Sequence, residues 1–200
     1  QETLYAAAED AGQLLTTFDS VLRIARLEAG ERRQLLIDID PKPILDDIAE
    51  LYEPACEDAG LSFSANIEEG NLVSGDRGLL SQAVSNLVEN AIKYTPQGGE
   101  IALSLARSNN GRVEISITDS GPGIPANERE RVKERFVRLD KSRSLPGSGL
   151  GLALVDAVAD LHRAEFILDD GIRTDDGTGL SAKIEFPRRR KVKGAGAAKV

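Results

Sequence analysis

Cysteine is almost missing from this 200-residue sequence. Cys56 stands alone, so no internal disulfide can form and a disulfide scaffold is excluded. A single thiol fits a reducing, cytoplasmic compartment. Histidine is equally scarce, with only His162. Nothing places that residue as a base beside Ser120, which removes a serine-nucleophile reading. Long apolar runs are lacking too: Asp or Arg interrupts each one well before the roughly 18 residues of a bilayer span. No basic-then-apolar leader follows Gln1, so the sequence reads as a piece of a longer protein, whose membrane attachment stays open. There is no internal repeat. What is present is ordinary: 40% hydrophobic and 29% charged residues in 21.5 kDa, enough for a sizeable core.

Charge is unevenly placed. The net charge is −8, yet six positive charges (Arg188, Arg189, Arg190, Lys191, Lys193, Lys199) fall in the last thirteen residues without an acid among them. Residues 1–187 therefore carry −14. So acidic a body is a poor general binder of nucleic acid, whose phosphates are held by clustered Lys and Arg. The Gly- and Ala-rich tail, residues 188–200, reads as a solvated, disordered end rather than a docking arm.

The first thirty residues differ from the rest. Leu4, Ala8, Ala11, Leu15, Phe18, Leu22 and Ala25 recur at alternating steps of four and three, and Gly30 is placed to end the helix. This heptad seam favours a long bundle helix over one packed on its own domain. Beyond it, residues around Leu35–Ile39, Leu61–Ile67, Ile101–Leu105, Val113–Ile117 and Ala182–Phe186 alternate apolar with polar, the period of strands buried on one face. Helices are predicted at 43–59, 77–94 and 150–162, and a hairpin turn at Asn109-Asn110-Gly111. The fold class is α/β: a two-layer sandwich of mixed, mostly antiparallel sheet with helices on one face.

Three segments carry chemistry. On the helix 77–94, Asn86, Asn90 and Lys93 share one face, two carboxamides and an ammonium suited to a magnesium-bound phosphate. A solvated face with a Glu89–Lys93 pair is the plain alternative. Asp119-Ser120-Gly121-Pro122-Gly123 follows a strand, and an acid there can accept from a base's exocyclic amine while the glycines let the backbone approach; otherwise it is a simple turn. Gly147-Ser148-Gly149-Leu150-Gly151 opens the third helix, exposing N–H groups to an anion. It is neither the dinucleotide fingerprint nor a Walker loop.

Taken in order, these segments resemble the boxes of bacterial sensor histidine kinases. Asn86-Leu87-Val88-Glu89-Asn90-Ala91-Ile92-Lys93-Tyr94-Thr95 is similar to the N box, Asp119–Gly123 to the G1 box, Glu134-Arg135-Phe136 with Arg138 to the F box, and Gly147–Gly151 to the G2 box. Leu22–Gly30 resembles the end of the second helix of the dimerisation and phosphotransfer domain. The resemblance divides the chain into residues 1–30 (that helix), 31–187 (the ATP-binding catalytic domain) and the tail.

The resemblance implies the sandwich shared with gyrase, Hsp90 and MutL, with ATP and Mg²⁺ as ligands. Asn90 would hold the metal with Asn86 beside it, Lys93 and Tyr94 would contact the nucleotide, and Asp119 would read the adenine amine. Gly121 and Gly123 would admit the base. Arg138 and Arg143 would reach the phosphates, and Gly147, Gly149, Leu150 and Gly151 would cradle them. The implied reaction moves the ATP γ-phosphoryl to a histidine on the bundle's first helix and onward to an aspartate of a response-regulator receiver domain, within a homodimer. Alternatives are a degenerate nucleotide-binding or docking module, and an ATPase; Asn86 stands where ATPases of this type carry a water-activating Glu.

Departures from the pattern carry expectations of their own. Val132 stands where a larger residue is usual, which predicts a lid held less firmly. His162-Arg163-Ala164 replaces His-Gly-Gly and puts the tight turn there in doubt, and His162 itself reads as structural. No segment resembles the box carrying the acceptor histidine, which is expected before Gln1. Residues 138–147 have little to bury and are expected to be mobile without nucleotide.

Overall fold

Asp76 opens the helix that organises the domain. Its backbone is extended and its Oδ1 accepts from Leu79 N at 3.0 Å, satisfying one of the orphan donors of the first turn. Helix α2 then runs Arg77–Tyr94, the span its pattern predicts, with Leu80, Val84, Leu87, Val88 and Ala91 on the buried side. The computed structural model describes residues 18, 21–22, 24–27, 36–108, 110–139, 147–175 and 177–188. Around α2 the described elements follow in order: β1 (Ile37–Ile39), α1 (Lys42–Asp58), β2 (Ser62–Ile67), β3 (Val73–Gly75), then after α2, β4 (Glu100–Arg107), β5 (Val113–Asp119), α3 (Gly151–Leu161), β6 (Glu165–Thr174) and β7 (Gly177–Phe186).

Five strands form one sheet in the order β2-β4-β5-β7-β6. The β2–β4 pair is parallel and the other three pairs are antiparallel, the mixed sheet expected from one-sided alternation. Ile101, Leu103, Leu105, Ile115, Ile117, Ala182, Ile184 and Phe186 all point into the core with Leu80, Val84, Leu154, Val155 and Val158. Each large side chain so buried contributes about 1.5–3 kcal/mol of transfer free energy. In register on the opposite face stand Ser104, Ser116 and Lys183, which are polar.

Two strands had no counterpart in the sequence reading. β3 is three residues long and pairs with β1, Ile37 opposite Gly75. β6 reads as an unbroken Phe166-Ile167-Leu168 run followed by Asp169-Asp170-Gly171, a turn signal. It stays a strand because Lys183 Nζ donates to Asp169 at 2.9 Å and Arg129 pairs with Asp170, which neutralises the acids. The predicted hairpin between β4 and β5 is present: Gly111 N donates to Ser108 O at 2.7 Å and Ser108 N to Arg112 O at 2.9 Å.

At the N-terminal helical residues the two faces behave differently. Phe18, Leu22 and Ala25, three members of the heptad seam, are exposed. Ile24 and Leu27, off the seam, are buried in the domain core. The segment therefore packs on its own domain and still presents its seam outward. A cleft of about 700 Å³ lined by Ile24, Leu27, Lys133, Ala157 and Leu161 runs beside it.

Both sequence departures are accommodated. Arg163 takes the left-handed conformation (φ 55°) that a glycine would adopt at that turn, and Ala164 N donates to Ala159 O at 2.9 Å, so the tight turn forms. Val132 is buried, and the next residue fastens the segment: Lys133 Nζ donates to Phe166 O at 2.9 Å. The remainder of the lid, residues 140–146, and the tail from 189 lie outside the described residues.

Candidate functional site

The polar side of α2 faces two glycine-rich segments. Asn86 and Asn90, one helical turn apart, are half-buried, and their amides make no hydrogen bond to the described residues. A side chain on Gly151 would bring its Cβ to 3.5 Å from Asn90 Nδ2. One on Gly147 would come to 2.7 Å from Lys93 Nζ, and that ammonium lies 4.8 Å from the Tyr94 ring centroid. At the end of the helix, a Cβ on Gly121 would meet the Tyr94 carbonyl oxygen at 3.0 Å. One helix thus abuts both segments, bringing together residues 27 to 61 positions apart.

Asp119 ends β5 almost fully buried. Its Oδ1 accepts from Gly121 N at 2.8 Å and from Leu180 N at 3.2 Å, while Oδ2 accepts from no described residue. Burial pushes its pKa up; the two main-chain donors pull it part of the way back. A buried carboxylate with one oxygen uncommitted is a ready acceptor for a ligand N–H. Gly123, at φ 62°, packs against the Thr178 and Gly179 carbonyls, where no side chain fits.

The third segment leads into α3 without a side-chain cap, in contrast to α2, so its first-turn N–H groups remain available. Gly149 adopts φ 72° with the Phe136 backbone against it, and its carbonyl accepts from Phe136 N at 3.0 Å. Arg138 donates from a guanidinium nitrogen to Gly147 O at 2.9 Å, so this arginine stands at the segment's entrance. Leu150 is different: its side chain is in the core, and only its main chain is left for a ligand. Arg143 lies outside the described residues.

Sequence reasoning missed the contribution of the last hairpin. Gly179 packs directly on the Asp119 carbonyl and Leu180 supplies a hydrogen bond to its carboxylate. The signal was the Gly177-Thr178-Gly179 run ahead of an alternating strand. It missed also that Glu89 accepts from the Tyr52 hydroxyl at 2.7 Å, a tie across to α1. His162 is buried, with Nδ1 donating to Val158 O at 2.7 Å and Nε2 accepting from Asp76 N at 2.9 Å. Its edge meets Phe186 at a centroid distance of 6.1 Å. Both ring nitrogens are occupied, the arrangement of a structural residue. Among the described residues no group of three or more His, Cys, Asp or Glu could hold a metal, and no helix is long and apolar enough to cross a membrane.

Residues 75–190 match the family described as histidine kinase-, DNA gyrase B-, and HSP90-like ATPases. The sensor-like histidine kinase SenX3 of Mycolicibacterium smegmatis is 35% identical over 180 residues, covering 89% of this chain and 46% of that relative. The chain thus spans under half the length of the relative it matches. Among solved structures, the mycobacterial sensor histidine kinase MprB superposes with a TM-score of 0.67 at 34% identity, over 77% of this chain and 98% of that one. Full-length ShkA in complex with AMPPNP gives a TM-score of 0.72 at 28% identity, over 94% of this chain and 38% of that one.

Proposed function

Since the chain belongs to the histidine kinase-, DNA gyrase B- and HSP90-like ATPases, as the catalytic domain of a sensor histidine kinase, we propose that it binds Mg-ATP between α2, Asp119 and the α3 entrance. There it presents the γ-phosphoryl to a histidine on the first helix of its bundle, which passes it to a response-regulator aspartate. The observation that carries this reading is the contact of α2 with both glycine segments, Asn90 against Gly151 and Tyr94 against Gly121. The AMPPNP held by ShkA supports it.

Asp119 accepts the adenine amine on Oδ2 while Gly121 and Gly123 keep the base plane clear. The N–H groups of the α3 first turn, Lys93 and Arg138 neutralise phosphate charge, with Arg143 completing the set. Asn90, with Asn86 beside it, offers an amide oxygen to a divalent ion, and half-buried amides with no hydrogen bond among the described residues fit the role. The ion, when bound, screens the phosphate oxygens. A loose phosphoryl-transfer transition state needs such positioning and charge neutralisation more than it needs a strong base. The acceptor cannot be His162, which is buried with both nitrogens taken.

Thermal melting with Mg-ATP tests binding: at 100 times the dissociation constant the ligand stabilises by about 2.7 kcal/mol. Labelled ATP then tests transfer. Label is expected on a second protein bearing the bundle's first helix and none on this chain alone; no melting shift at millimolar nucleotide sinks the proposal.

A further inference from the structure

Beyond the residues that touch the nucleotide, the wall around Asp119 has an anchor that no box contains. The Arg129 side chain is only 17% exposed and reaches in two directions. Its Nε donates to Ile124 O at 3.1 Å, the carbonyl immediately after Gly123. Its terminal nitrogens pair with Asp170 and, at 4.0 Å, with Asp169 of edge strand β6. Asp170 stands opposite Leu180 in the β6–β7 register, and Leu180 N is one of the two donors to Asp119 Oδ1. The ladder becomes irregular directly beyond that pair, between Asp170 and Arg173, so regular strand pairing ends at this corner.

We infer that Arg129 is a positioning residue for base recognition: its fork ties the loop after Gly123 to the Asp170–Leu180 corner and so fixes the carboxylate of Asp119 between them. The inference rests on the proposal that Asp119 reads the adenine amine. A guanidinium suits the task because it can serve a carbonyl and a carboxylate in one plane; an ammonium cannot.

The test compares affinities of the whole chain for Mg-ATP and Mg-inosine triphosphate, which differ in that exocyclic amine. A site built around a donor rejects the analogue lacking it, so the unaltered chain prefers ATP. In Arg129→Gln and in Asp170→Asn, whose carboxylate is exposed, that preference falls by about threefold to tenfold. The double variant loses no more than either alone, and Arg129→Lys does not restore the preference. Melting without nucleotide confirms that each variant is folded. Equal weakening of both nucleotides, or an unchanged preference, overturns the role of Arg129. An unaltered chain that binds both nucleotides equally overturns the reading of Asp119 itself, and this role with it.

Discussion

Asp119 is held where its ionised form is poorly solvated, and two main-chain N–H groups offset only part of that cost. Because burial is the main cause, its pKa in the folded chain stands above that of the unfolded one. Its stabilising contribution is therefore complete below the ordinary carboxylate range and lost as pH rises through the raised value. At neutral pH the empty site carries that cost, so Asp119→Asn should raise the melting temperature without nucleotide while abolishing the shift on adding Mg-ATP. His162 runs the other way. Burial lowers its pKa, so its contribution is full above about pH 6.5 and declines as pH falls toward the lowered value. Melting followed from pH 7 to pH 5 should fall more steeply in the unaltered chain than in His162→Gln. Of these two residues, sequence position singled out Asp119 as a candidate, an acid ending an alternating strand ahead of Gly-Pro-Gly, where a simple turn is the other reading. The Nε2 partner of His162 was illegible, since Asp76 lies 86 residues away.

The helices were legible because each carries its own periodicity: α2 begins and ends where its apolar stripe does. β6 was hidden because its acids are compensated by Arg129 and Lys183, residues distant along the chain. At the start of α3, a Cβ on Gly151 would stand at ordinary van der Waals distance from Asn90, so the fold itself tolerates one. Gly151→Ala should leave melting unchanged or slightly higher, since alanine is better than glycine in a helix by up to about 1 kcal/mol. On the proposed site the same methyl takes up space that the α3 entrance would leave for phosphate, and it should weaken Mg-ATP by about tenfold, or about 1.4 kcal/mol, in a calorimetric titration. Gain in one measurement with loss in the other separates a site glycine from a structural one.

For the molecule as a whole, the N-terminal helical residues separate two roles by face. Leu27→Ala, in the core, should cost about 2 kcal/mol of stability in denaturant unfolding. Leu22→Lys, on the exposed seam, should leave stability unchanged and reduce concentration-dependent association in sedimentation. The heptad pattern revealed the seam but not the docking face, because Ile24 and Leu27 line a cleft with Ala157 and Leu161, more than a hundred positions further on. The strand order has an outcome for biosynthesis. β7, the last strand, lies inside the sheet between β5 and β6, and its hairpin closes the wall beside Asp119. On the site proposed above, a chain growing from the ribosome is therefore expected to trap nucleotide only after the segment through Phe186 has emerged, and a nascent chain stalled at Thr174 would hold every box of that site yet lack its closing wall.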